Sequence, residues 1–179
     1  VDTVIDIVTT TGTAGTADYT TTTIQVTIPA GSLTVNVIIP ILEDLLDEPN
    51  ETFTVDGTLV SGTIDTAASD FQGEVTIVDN DGTPTVTIGD VTVNEGDGTA
   101  SVPVTLSSPS SVDTVIDIVT TTGTAGTADY TTTTTQVTIP AGSLTVNVII
   151  PILADLVDEP NETFTVDGTL VSGTIDTAA

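Results

Sequence analysis

Ser101-Val102-Pro103-Val104-Thr105-Leu106 alternates without a break: Val102, Val104 and Leu106 are apolar, and the residues between them are small or polar. A period of two places the three apolar side chains on one face of an extended chain, as in a strand with one side in a core and the other in water. The same pattern continues on both sides. Val86 and Ile88, then Val91 and Val93, mark opening strands, and Val115 to Val119 marks the next. Val137 and Ile139 precede the turn Pro140-Ala141-Gly142, and Val146, Val148 and Ile150 follow it, which predicts a hairpin. Phe164 and Val166 mark another strand, and Val75 and Ile77 mark a closing one before Asp79-Asn80-Asp81-Gly82. Threonine fills the outward positions, as suits a β-branched residue that tolerates water. No segment carries a helical period. Seven or so short strands between Gly, Pro and Asp turns predict an all-β fold, an immunoglobulin-like β-sandwich.

The sandwich is repeated. Val1–Ala68 returns as Val112–Ala179, a period of 111 residues, with Ile24, Glu43 and Leu46 replaced by Thr135, Ala154 and Val157. A period of one whole all-β domain predicts a tandem array of domains. The frame that fits places one repeat at 1–82, lacking its first strands, and the next at 83–179, lacking its last strand. A window cut from a longer array is the expected origin of those ends. Asp79-Asn80-Asp81-Gly82-Thr83-Pro84 joins the repeats with no Gly/Ser or proline-rich spacer, which predicts closely coupled neighbours.

Composition excludes several function classes. The 179 residues include no Lys, Arg, His, Cys, Met or Trp, while Asp and Glu total 26, for a formal charge of −26. Such a chain repels nucleic-acid phosphates and anionic membranes, having no cation with which to displace counterions. Without His, Lys or Cys it has none of the usual general bases near neutral pH, no thiolate and no imidazole ligand, so a Ser-His-Asp triad is impossible. Paired carboxylates can cleave glycosides, but those sites use aromatic residues to hold sugar, and Phe and Tyr here total five. A non-enzyme is expected. High negative charge often accompanies disorder; here a hydrophobic fraction of 38%, much of it Val, Ile and Leu in alternation, predicts folding instead.

The acids concentrate at predicted strand ends: Ala17-Asp18-Tyr19, Glu43-Asp44-Leu45-Leu46-Asp47-Glu48-Pro49-Asn50-Glu51, Asp79-Asn80-Asp81-Gly82, and Asn94-Glu95-Gly96-Asp97-Gly98. Calcium takes six to eight oxygen ligands, so carboxylates from several loops meeting at one tip are the chemistry it requires. Turn preference alone also accounts for Asp, Asn and Gly at these places. Composition leaves both readings open.

The order of motifs adds to this. Asn94-Glu-Gly-Asp-Gly98 leads into Thr99-Ala-Ser-Val-Pro-Val-Thr-Leu-Ser107, then Gly123-Thr-Ala-Gly-Thr-Ala-Asp-Tyr-Thr131, then Val137-Thr-Ile-Pro-Ala-Gly142. Ile39-Pro-Ile-Leu-Glu-Asp44, Asp47-Glu-Pro-Asn-Glu-Thr-Phe53 and Val75-Thr-Ile-Val-Asp-Asn-Asp-Gly82 complete the series, which resembles the Calx-beta domain across essentially the whole repeat. The resemblance implies a β-sandwich with calcium at one tip. It implies ligands at Asp18, Asp44, Glu48, Asp79 and Asp81 with Glu43 nearby, and at Glu95, Asp129, Asp155 and Glu159 in the second repeat. It also implies a bacterial extracellular or cell-surface setting, as a structural segment of an adhesin shaft, stalk or filament. Partners would be neighbouring repeats and identical chains in a filament. An alternative under the same resemblance is a calcium-dependent module recognising a protein or glycan through its tip loops.

Smaller signals have plain readings. Asn50-Glu51-Thr52 and Asn161-Glu162-Thr163 match a glycosylation sequon inside the acidic loop. Thr9–Thr11 and Thr20–Thr23 read as solvent-facing β residues. Tyr19 and Tyr130 are expected to pack over the loop with their hydroxyls at the surface. Thr134–Ile139, with few charges, reads as an edge strand open to pairing.

Overall fold

The computed structural model describes residues 1–175 and contains ten strands and a single turn of 3-10 helix. The chain forms two compact units, residues 1–44 with 49–80, and residues 45–48 with 81–179. The fold is the all-β, immunoglobulin-like sandwich that the alternation predicts.

The first unit is one antiparallel sheet. Strands β1 (Thr3–Thr11), β2 (Thr23–Ile28), β3 (Glu51–Ser61) and β4 (Gln72–Ile77) lie in the order β2-β1-β3-β4. The pairing of β1 with β3 slips by one residue between Val4 and Ile5, a bulge that leaves Val60 without a partner in β1. Buried Ala14, Tyr19 and Phe53, backed by Ile39, Val55, Val75 and Ile77, make its small core.

The second unit has two sheets. β5 (Val86–Ile88), β6 (Thr99–Leu106) and β9 (Thr145–Pro151) form one, in the order β5-β6-β9. β7 (Thr114–Thr122), β8 (Thr134–Ile139) and β10 (Phe164–Ser172) form the other, in the order β10-β7-β8, with the bulge repeated at Val171. Ala100, Val102, Val104 and Leu106 of β6 are all buried, in one core with Ile116, Ile118, Ile139, Val148 and Ile150. Fully burying an aliphatic side chain of this size stabilises by about 1.5–3 kcal/mol, so the inward row of β6 holds the two layers together. Pro103 stands in this central strand, opposite Asn147 on one side and at the end of β5 on the other. Gly89 lies against it there: its N–H donates to the Pro103 carbonyl (2.8 Å), and a Cβ on it would come within 2.8 Å of the ring Cγ.

Three expectations need correction. The strands flanking Pro140-Ala141-Gly142 are not a hairpin, since β8 pairs with β7 and β9 with β6, so the turn carries the chain from one sheet to the other. Val91 and Val93 lie in irregular chain between β5 and the 3-10 turn Glu95–Asp97. Threonine is not confined to the outside: Thr9 and Thr120 are buried, and their Oγ1 atoms accept from the Thr22 and Thr133 N–H groups (2.8 Å each).

Identical sequences do not fold identically. Residues 34–40 repeat the letters of β9 but form no strand, and Ile5 and Ile7 are half-buried where Ile116 and Ile118 are buried. The difference is β6, which pairs with β9 and covers the β7 face in the second unit, whereas no strand of the first unit does so. Strand formation here follows the partner more than the propensity.

Candidate metal site

The turn that carries Asp129 is built by its own side chain. Gly126 donates its N–H to Asp129 Oδ2 (2.6 Å), while the Asp129 and Tyr130 N–H groups both return to the Gly126 carbonyl (3.3 Å each). Two further bonds clamp the turn to the end of β9 and the chain just beyond it: Thr131 N–H to the Pro151 carbonyl (2.9 Å) and Leu153 N–H to the Asp129 carbonyl (2.8 Å). On the other side Ala125 N–H donates to the Thr163 carbonyl (3.0 Å), and Thr163 N–H donates to Thr124 Oγ1 (2.8 Å). The residue before Thr163 is Glu162, so these bonds fix the start of β10 beside the Asp129 turn.

The first repeat reproduces the device. Gly15 N–H donates to Asp18 Oδ2 (2.6 Å), Leu42 N–H to the Asp18 carbonyl (2.8 Å), and Thr20 N–H to the Pro40 carbonyl (2.9 Å). Under each turn lies an aromatic pair. Tyr130 stacks on Phe164 and Tyr19 on Phe53, and both tyrosines are buried, with hydroxyls that have no hydrogen-bond partner among the described residues. The expectation of surface hydroxyls fails because the ring is sandwiched on the phenylalanine rather than laid over the loop.

Asp129, Glu159 and Glu162 each offer a carboxylate oxygen within 4.8 Å of the others. Ligands of one calcium ion sit 2.3–2.6 Å from it, so any two lie at most about 5 Å apart, and the spacing fits. Three carboxylates supply part of a six- to eight-oxygen shell, leaving the rest to carbonyls and water. Partial desolvation raises the Glu159 carboxyl above its ordinary range, reinforced by the charges of Asp155, Asp129 and Glu95. Glu162 is raised for the same first reason, then by the charge of Asp129 and a hydrogen bond with its carboxyl, and by the charges of Glu159 and Glu95. Closely set acids that favour a proton also favour a cation that replaces it.

The remaining expected ligands are placed variously. In the first unit Asp18 and Asp44 bring carboxylate oxygens within the same 4.8 Å. Glu48 falls in residues 45–48, grouped with the second unit. Glu43 accepts from Asn80 Nδ2 (3.2 Å), and Asp79 donates its N–H to Asn50 Oδ1 (3.2 Å). Asp81 opens the second unit. Asp155 turns inward on its own loop, accepting from Val157 N–H (2.7 Å). Glu95 begins the 3-10 turn and acts on Glu159 and Glu162 through its charge. Glu162 was not among the residues the sequence marked as ligands. Its signal was there, at the end of Asp158-Glu159-Pro160-Asn161-Glu162, where the chain enters β10.

The Calx-beta domain profile matches residues 2–81 and again 78–172. No curated protein matches the chain. Among solved structures, the crystal structure of CBD12 from CALX1.2 aligns with 97% of this chain and 71% of its own, at 17% identity and a TM-score of 0.46. The crystal structure of calcium binding domain CBD12 of CALX1.1 aligns with 94% of this chain and 67% of its own, at 18% identity and a TM-score of 0.45.

Proposed function

The chain belongs to the Calx-beta domain family, and on that premise we propose that it is a non-catalytic, structural repeat segment of a bacterial cell-surface or extracellular protein, an adhesin shaft, stalk or filament stiffened by calcium. Its repeat frame is 1–82 and 83–179, and its partners are neighbouring repeats of the same chain and identical chains in a filament. Calcium is held at Asp129, Glu159 and Glu162 with Asp155 and Glu95 in support, and in the first repeat by the acids at Asp18, Glu43, Asp44, Glu48, Asp79 and Asp81. One observation carries the reading: the Asp18 and Asp129 turns repeat the same side-chain clamp, bond for bond, in two copies of nearly unchanged sequence. Copies that keep a site while adding length suit a mechanical element. No helix among the described residues is long and apolar enough to cross a membrane.

The test is calcium titration of the 179-residue chain, followed by melting and small-angle scattering, beside a variant carrying Asp129→Ala and Glu159→Ala. Calcium is expected to raise the melting temperature and stiffen the particle, and the variant to lose most of both effects. No response at millimolar calcium overturns the metal assignment. Saturable, calcium-dependent capture of a protein or glycan favours the alternative, a recognition module working through the tip loops.

A further inference from the structure

Sheets keep their edge strands from meeting other chains by charge, proline, bulges or brevity. One edge of each unit has none of these. Among the described residues β8 pairs only with β7, and its counterpart β2 only with β1. The bare edge is internal to the repeat: the first unit contains the strand that follows β3, the second contains the strands that precede β7, and the edge is open in both.

No acid falls between Asp18 and Glu43 or between Asp129 and Asp155, although the chain holds 26 acids and no cation. β2 and β8 lie inside these two uncharged runs, contain no proline, and pair with β1 and β7 without a register shift. The bulges fall on the far side of β1 and β7, against β3 and β10. Elsewhere, the edge strand β4 carries Glu74, β5 is three residues long, and β9 ends on Pro151.

The open backbone groups follow from the pairing. Thr120 donates its N–H to the Thr133 carbonyl (2.9 Å), which marks these two as a hydrogen-bonded pair. Antiparallel pairs alternate, so Thr135, Val137 and Ile139 turn their N–H and C=O groups to β7, while Thr134, Gln136 and Thr138 turn theirs to the open edge. The bond from the Thr9 N–H to the Thr22 carbonyl (2.9 Å) does the same in β2 and leaves Thr23, Gln25 and Thr27 at the edge. The side chains of all these edge-facing residues are exposed.

We propose that this edge is the interface through which copies of the chain associate, β8 or β2 of one copy adding antiparallel to β8 or β2 of a second. The inference rests on the reading of identical chains as filament partners and gives that association its strand and register. Centred on Gln136, the pairing sets Gln136 against Gln136 of the second copy and Thr134 against its Thr138, so every edge-facing residue meets another. The pattern Thr-x-Gln-x-Thr is its own complement under a two-fold axis, as an interface between identical copies requires. Charge selects the same place, because two copies repel wherever their acids face, and at this edge none does. The nearest carboxylates stand one strand back and are already bonded: Gln136 Nε2 donates to Asp117 Oδ1 (2.9 Å) and Gln25 Nε2 to Asp6 Oδ1 (2.8 Å). Across the joined sheet Asp117 of one copy is three strand spacings from Asp117 of the other, about 14 Å. That exceeds the screening length of about 8 Å at physiological salt. Main-chain bonds supply the affinity, as in other strand additions, and two such edges on each chain let pairing pass from copy to copy.

The experiment is sedimentation of the 179-residue chain over stepped concentrations, at physiological and at high salt, with hydrogen exchange on the same samples. The expected result is association beyond dimers, tightened by salt, with slowed exchange at the amides of Thr134, Gln136 and Thr138 and of Thr23, Gln25 and Thr27. Thr134→Glu with Thr138→Glu places like charges directly opposite each other across the pair and should weaken association through β8 by about tenfold. Thr23→Glu with Thr27→Glu should do the same at β2. Within one copy these positions face Val119, Val115, Val8 and Val4, so the substitutions meet no acid there, and the melting temperature of the dilute monomer should be unchanged. Either pair of substitutions should stop assembly at dimers, and both pairs together should leave monomers. Thr87→Glu with Ser101→Glu, the same added charge on exposed positions of the other sheet, should associate as the parent does. A parent chain that stays monomeric at every concentration overturns both this interface and the partnership of identical chains. Association that survives all four edge substitutions, or protection that falls on β9 instead of β8, overturns the interface and leaves the partnership standing.

Discussion

Tyr130 lies flat on Phe164, ring centroids 4.0 Å apart and planes 12° from parallel, and Tyr19 lies on Phe53 in the same way at 3.9 Å and 11°. Each pair joins the residue after the turn aspartate to the strand that follows the acidic loop, so the apolar stack locates the acids above it.

That stack gives the first prediction. The buried Tyr130 hydroxyl has no partner among the described residues, so Tyr130→Phe removes a desolvation cost and leaves stability unchanged or raises it by up to about 1 kcal/mol. Phe164→Ala deletes the platform and costs about 2–3 kcal/mol, less than for a fully buried phenylalanine because Phe164 is half-buried. Denaturant melts of the two variants check the opposite signs, and calcium affinity should fall only in Phe164→Ala.

Glu162→Gln should separate the cost of the acidic site from its use. With chelator present the variant is as stable as the parent or more so, since a crowded carboxylate is gone. With calcium present it loses most of the stabilisation, which for one site at a hundredfold excess over the dissociation constant is about 2.7 kcal/mol. Melting temperatures in both conditions must cross; parallel curves place Glu162 outside the metal shell.

The sign of the pH dependence follows from the raised Glu159 and Glu162 carboxyls. Without calcium the folded chain takes up these protons at higher pH than the unfolded chain, so their contribution to stability rises as pH falls through the raised values. It is complete below the ordinary glutamate value of about 4.3. Calcium competes with the same protons, so its stabilising effect should shrink over that window. Melting at stepped pH, with calcium and with chelator, reads both slopes.

Asp56 runs the other way. Hydrogen bonds from Gln72 and then Thr10 lower its carboxyl below the ordinary aspartate range; desolvation opposes them more weakly, and Thr54 adds the smallest lowering effect. Its contribution is therefore present above the unfolded value of about 3.9 and is lost as pH falls through the lowered one. Asp56→Asn should destabilise the chain at pH 7, and the difference should close at low pH, as followed by thermal unfolding.

Gly12→Ala tests the brace beneath the first turn. A Cβ there would stand 2.5 Å from the Thr52 carbonyl oxygen, which accepts the Ala14 N–H at 3.0 Å. Backbone cannot move aside as a side chain tip can, so a loss of about 1–3 kcal/mol is expected. Gly15→Ala, whose Cβ would meet nothing closer than Asp18 Oδ2 at 3.8 Å, is the matched control in the same melting experiment.

Much of the fold was legible because Val102, Val104 and Leu106 advertise their face by period alone, and all three are buried. The sheet change at Pro140-Ala141-Gly142 was not legible, since a period of two says which way side chains point and not which strand accepts the hydrogen bonds. The identical letters of 34–40 and 145–151 make the same point, one outside any strand and the other β9. At the site, Asp129 and Glu159 were marked through the resemblance of the loop motifs to the Calx-beta domain. Glu162 was hidden because it borders a strand, and the bonds between Thr163 and the Thr124-Ala125 turn that bring it to Asp129 span about forty residues.

The shared sequence of β3 and β10 also bears on how the chain finds its native pairing. While it folds, β4 meets two acceptors with the same letters, and contact strength cannot tell them apart. Chain length can. Roughly ten residues separate β4 from β3 and roughly ninety separate it from β10, a difference in loop-closure entropy of about 2 kcal/mol in favour of the near partner. That margin is a factor of roughly thirty in population at room temperature, so a few molecules in each hundred would begin on the far strand and have to let go before they could finish.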